Sequence, residues 1–103
     1  MPVVPLSDLP ALLRPAQRLA GLDVGSKTIG IALSDVMRTI ATPLETIRRG
    51  KFAPDAERIF ALARQYDIGA FVVGLPLEMD GSEGPRCQSV RQFAANLLER
   101  QDL

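Results

Sequence analysis

The stretch Leu19-Ala20-Gly21-Leu22-Asp23-Val24-Gly25-Ser26-Lys27-Thr28-Ile29-Gly30-Ile31-Ala32-Leu33-Ser34-Asp35 reads as two short apolar runs joined by a tight polar turn. That is the pattern of a β-hairpin. Gly25 gives the turn conformational freedom. Successive strand side chains point to opposite faces, so the alternation assigns the faces. In the first run Ala20, Leu22 and Val24 share one face and Leu19, Gly21 and Asp23 the other. In the second, Ile29, Ile31 and Leu33 lie opposite Gly30, Ala32 and Ser34.

Asp23 is thus an acid set within an apolar strand, just before its turn. A carboxylate in that position is expected to lose water, which is costly without compensation. Two compensations are open. One is structural: N–H donors from the Gly25–Thr28 turn, or a salt bridge to Lys27. The other is functional: a bound cation. The small residues Gly21, Gly25 and Gly30 leave room for a ligand to approach the backbone.

Composition narrows the chemistry. A chain of 103 residues, 47% of them hydrophobic, suits one globular domain or part of one. Lys plus Arg and Asp plus Glu number 12 each, so any basic surface must be local. There is no histidine, which removes histidine metal sites and imidazole bases. The single cysteine, Cys87, excludes an internal disulfide. Catalysis would have to use carboxylates, lysine, hydroxyls or metals. No apolar run approaches the roughly 18 residues that span a membrane, and no signal peptide opens the chain. A cytoplasmic protein is the expectation.

The rest of the chain reads as an α/β pattern. Residues 1–17 carry Pro2, Pro5, Pro10 and Pro15 and form an N-terminal extension; the domain proper is 18–103. Strands are expected over 18–24, 28–35 and 39–47. Pro43 suits an edge or a bulge in the third. A helix follows from about Ala53 to Tyr66, with Pro54 in its first position, Asp55 and Glu57 in its first turn, and a stop at Gly69. Ala70-Phe71-Val72-Val73-Gly74 is continuous and apolar, as in a strand buried on both faces. A Pro- and Gly-rich loop, 75–85, leads to a second helix with Val90, Phe93, Ala94, Leu97 and Leu98 as its stripe. In layered α/β folds such a helix leads into another strand, so the chain is expected to be incomplete. Gly21 to Thr28 nearly spells a P-loop, but Ser26 replaces its second glycine and a strand follows, not a helix.

Two loops end two apolar strands, after Asp23 and after Gly74. If those strands are neighbours, their C-terminal ends share a crevice of the kind where α/β sheets bind ligands. Asp23 would then face Glu78, Asp80 and Glu83. Converging carboxylates repel one another, and a hard cation, Mg²⁺ or Mn²⁺, would relieve that. A two-metal site of this kind cleaves phosphodiesters without histidine. The structural reading stands beside it: Asp80-Gly81 is a common turn dipeptide, and Glu83 favours a helix start. Lys27, Arg48, Arg49, Lys51, Arg86 and Arg91 could meet phosphates or be simply solvated. Cys87, near a helix start, either has a lowered pKa or is inert.

Leu22–Ala32 together with Val73–Pro85 closely resembles the YqgF family, also called RuvX, and the likeness covers about residues 18 to 100. The resemblance implies an α/β, RNase H-like fold: a mixed β-sheet with flanking helices. It also implies a metal-dependent nuclease related to Holliday junction resolvases, acting in 5′-end maturation of pre-16S ribosomal RNA. Its partners would be pre-rRNA or branched DNA, its cofactor Mg²⁺ or Mn²⁺, and its first catalytic and metal-binding aspartate Asp23. Glu78 stands where the family pattern has asparagine. The family continues into a strand with an Asp-Glu-Arg motif and a helix bearing another acid, and this chain ends before both. Little nuclease activity is therefore expected of these residues alone. Two other readings remain: an ATP-binding fragment of the actin-like or sugar-kinase type, and a non-catalytic nucleic-acid module.

Overall fold

The computed structural model describes residues 13, 16–35, 37, 38, 40–76 and 80–100. In chain order these form β1 (Arg18–Val24), β2 (Thr28–Ser34), β3 (Ala41–Arg48), α1 (Phe52–Gln65), β4 (Ile68–Val73) and α2 (Pro85–Arg100). The strands make one sheet in the order β3-β2-β1-β4. β1 and β2 form the expected hairpin, Leu22 opposite Ile31 and Asp23 opposite Gly30. β3 adds antiparallel to β2, and β4 adds parallel to β1. The sheet is mixed and carries two helices, the α/β architecture of an RNase H-like fold.

The alternation read from the sequence sets the faces. Ala20, Leu22, Val24, Ile29, Ile31 and Ile47 are buried, and they cluster with helix residues such as Ile59, Phe60, Val90 and Phe93. The aromatic rings belong to this core, and Phe52 meets Phe93 edge to face at 5.4 Å. The other sheet face carries Gly21, Asp23, Gly30 and Ala32, none of them buried.

Several expectations are met with shifts. β3 ends the sheet, so Pro43 removes no ladder donor from a central strand. Its register slips between Ile31, paired with Glu45, and Ala32, paired with Pro43; Leu44 is the extra residue of a bulge. Thr39 lies outside the described residues. α1 begins at Phe52, not Ala53, with Lys51 as an extended N-cap that makes no side-chain cap. Pro54 sits two residues further in, still within the first turn, where no N–H is needed. Buried Asp55 accepts the Gly50 N–H at 3.2 Å, which explains an acid at 7% exposure.

Two expectations are corrected. The helical pattern is broken before Gly69: α1 ends at Gln65, the Tyr66 N–H returns to Leu62 O at 3.0 Å, and Asp67 takes φ +51°, which aspartate tolerates. Gly69 serves close approach instead. A Cβ there would stand 2.5 Å from Leu13 Cδ2 and 2.8 Å from the Gln17 side chain, so this part of the extension lies on β4. β4 is also not buried on both faces, since Val72 is 36% exposed.

The core face predicts a graded response. Ile59→Val, at a fully buried site, should cost about 1 kcal/mol and lower the melting temperature by several degrees. Ile40→Val, at 66% exposure, should leave it unchanged. Equal shifts in thermal unfolding would contradict this placement of the core.

Candidate active site

The site is built by the pairing of β1 with β4. Leu22 lies opposite Val73, and the Gly74 N–H continues the ladder to Leu22 O at 3.2 Å. Both strands run the same way and end together, as the crevice argument requires. Leu22 and Val24 face the core, so Asp23 between them points to the other side. A Cβ at Gly30 would come only to 3.7 Å from Asp23 Cβ, and one at Gly21 or Gly74 would meet nothing within 4 Å. The result is an open trough of about 390 Å³ floored by Gly21, Gly30 and Ala32, with Asp23, Val72 and Gly74 around it.

Asp23 is exposed, not desolvated. Alternation put it opposite the core as expected, but no helix among the described residues covers that face. The structural compensations do not engage it either. The Gly25 N–H goes to Thr28 O at 2.8 Å, and Lys27 is exposed in the turn. Among the described residues the Asp23 carboxylate has neither an ion pair nor a side-chain hydrogen bond.

The other acids of the expected cluster are placed differently. Glu78 lies outside the described residues. Asp80 folds back on its own loop, accepting the Ser82 N–H at 2.9 Å and the Ser82 hydroxyl at 2.6 Å. Those bonds hold its carboxyl below the usual range. Gly81, at φ +85°, completes the turn in a conformation that favours glycine. Glu83 takes a fork from Arg91, with Nε at 2.9 Å and Nη2 at 2.7 Å. Among the described residues, no three acidic or cysteine side chains are grouped to hold a metal. Cys87 is fully buried; burial, aided by Glu83, pushes its thiol up and not down, against the activated option.

The basic candidates gather around the Gly25–Lys27 turn. Lys27 is exposed. Arg48, paired with Thr28 in the ladder, is exposed too. Arg49 and Arg86 donate to backbone carbonyls: Arg49 Nη1 to Gly25 O at 2.6 Å and Arg86 Nη2 to Val24 O at 2.7 Å. Sequence reasoning did not find these bonds, because an arginine's spacing carries no signal for a carbonyl partner tens of residues away.

Residues 17–103 match the RuvX family, described as Holliday junction resolvase. The chain belongs to the RuvX family. A relative from Paramagnetospirillum magneticum, named "Putative pre-16S rRNA nuclease", is 60% identical over 103 residues, all of this chain and 66% of its own. One of the same name from Beijerinckia indica subsp. indica is 63% identical over 92% of this chain and 58% of its own. The chain thus spans about three-fifths of the length of these RuvX relatives. A Ppx/GppA phosphatase structure from Aquifex aeolicus covers 81% of this chain at TM-score 0.45 and 10% identity, a likeness too slight to bear on the fold.

The ion pair beside the RuvX loop can be checked by titration. Arg91 holds the Glu83 carboxyl below its ordinary value, and the Cys87 thiol adds to this. A lowered folded pKa means that the pair's contribution to stability is present above the unfolded value, about 4.3. It fades as pH falls through the folded one. In a carbon-detected NMR titration, Arg91→Gln should move the Glu83 midpoint upward; an unmoved midpoint would refute the pairing.

Proposed function

We propose that this chain is the aspartate-bearing part of a metal-dependent nuclease acting on structured nucleic acid, with the 5′ end of pre-16S rRNA as its substrate. The observation that carries the reading is the Asp23 carboxylate, standing without a partner among the described residues at the shared end of two parallel strands and beside glycines that leave space around it. The names of the relatives support the RNA assignment.

The residues present fit a hard divalent ion in part. Mg²⁺ is commonly held by one or two carboxylates, keeping waters and substrate phosphate oxygens as its other ligands. Asp23 is the described residue that would hold it. When bound, such an ion activates water and stabilises the oxygens of the phosphodiester displacement. The protein's own part is to fix Asp23 on a rigid strand and to leave the trough open to a backbone. Lys27 and Arg48, both exposed near that end, supply positive charge for the flanking phosphates.

With one carboxylate in place among the described residues, slow turnover is expected, so binding is the better readout. RNA hairpins from the 5′ end of the 16S precursor should bind more tightly when Mg²⁺ is added. Asp23→Asn should abolish that gain and, without metal, bind at least as well as the parent, since a carboxylate that repels phosphate is gone. Binding that ignores both Mg²⁺ and Asp23→Asn would overturn the nuclease reading in favour of a non-catalytic module. Lys27→Gln and Arg48→Gln should each weaken binding and reduce the slope of log K against log salt by about 1. An unchanged slope would remove them from the interface.

A further inference from the structure

We infer that Arg49 and Arg86 are positioning residues that clamp the backbone next to Asp23; this rests on the reading of Asp23 as the acid of the site. The two guanidinium groups come from different elements, the loop after β3 and the first turn of α2. They converge on adjacent carbonyls, Gly25 O at 2.6 Å and Val24 O at 2.7 Å. Arg49 also donates its backbone N–H to Lys27 O at 2.8 Å. Three carbonyls of the segment that leaves β1 are therefore tied down, while the Gly25 N–H closes the turn onto Thr28 O at 2.8 Å.

Val24 and Ile29 are the last paired residues of the β1–β2 ladder. Beyond Val24 the β1–β2 ladder no longer restrains the end of β1, and Asp23 lies one residue before that point. Hydrogen bonds from a charged donor are stronger than neutral ones, so two of them here stiffen the turn at small cost in chain.

Arg49 is itself held in place. Its guanidinium lies 5.2 Å from the centroid of the Phe93 ring, Phe93 is 4% exposed, and the same ring packs on Phe52 of α1. A guanidinium held over an aromatic ring while it donates to a carbonyl is a role that lysine copies poorly. The two arginines thus connect the packing of both helices to the turn beside the acid. A pure phosphate-binding role does not account for guanidinium groups aimed at the protein's own carbonyls.

The test uses this chain with Arg49→Gln, Arg86→Gln and the conservative Arg49→Lys. Hydrogen exchange of the Gly25 amide, read by NMR, should accelerate about tenfold in each Gln variant. The amides of Leu22 and Ile31 in mid-ladder should keep their rates, and Arg49→Lys should fail to restore Gly25. The second readout is RNA affinity. The Mg²⁺-dependent gain should shrink in the Gln variants while metal-free affinity stays within about twofold for a clamp, against the larger loss expected of a phosphate ligand. Unchanged Gly25 exchange, or equal acceleration at all three amides, overturns the clamp; so does a loss confined to metal-free affinity. If the parent chain shows no Mg²⁺ gain, the nuclease reading has failed, and Gly25 exchange still decides the clamp.

Discussion

The parallel pairing of β1 with β4 is the constraint from which the site follows. A parallel neighbour cannot be reached by a tight turn, so the chain crosses from β3 through α1 before returning. That crossover lays α1 on the side where Ala20, Leu22, Val24, Ile29 and Ile31 present their side chains. It also brings Val73 level with Leu22, so that two loops open at one edge. Had β4 joined the sheet beside β3, Asp23 would face no second loop at all. The position of the acid is thus a consequence of core packing on the opposite face, one residue out of phase.

Charge sharpens that picture. The chain carries equal numbers of acidic and basic side chains, and several acids are neutralised by arginine across elements. Glu45 meets Arg58 between β3 and α1 through a fork of 2.6 and 2.8 Å, Glu57 meets Arg100 between the helices at 3.1 Å, and Glu83 meets Arg91. Exposed pairs of this kind contribute about 0–1 kcal/mol each, so they orient elements more than they hold the fold. Their effect on the site is to remove candidates: Glu83 and Arg91 are committed to each other. Among the described residues, Asp23 is left as the acid lining the trough without a cation.

The hairpin, the faces of its strands, the bulge-prone edge strand with Pro43 and the apolar stripes of both helices were legible in the sequence. The faces and stripes follow from a periodicity of two or of 3.6 residues that burial imposes directly, and the edge position from the N–H that Pro43 lacks. What was not legible depends on three-dimensional neighbours. Whether Asp23 loses water is decided by what covers its face, and strand alternation says only which face that is. Asp80-Gly81 reads first as a turn dipeptide and only second as a source of a ligand, and the bonds Asp80 accepts from Ser82 show the turn. The helix end near Tyr66 is legible, but the breaker is not: residue order points to Gly69, while Asp67 takes the positive φ. Arg49 and Arg86 read from sequence as phosphate-steering or solvated charge; their hydrogen bonds to carbonyls leave no trace in residue order. The RuvX likeness identified the family from two short motifs, and the structure supplies the reason those motifs go together: they are the ends of two adjacent strands.

The central claim is that the carboxylate of Asp23 receives a divalent cation at the shared end of β1 and β4. Paramagnetic broadening by substoichiometric Mn²⁺ tests it most directly. The account predicts amide signals lost first at Asp23 and Val24 on one strand and at Gly74 on the other, with the pattern absent in Asp23→Asn. Broadening centred on Asp80 and Glu83, or a pattern that survives the substitution, would contradict it.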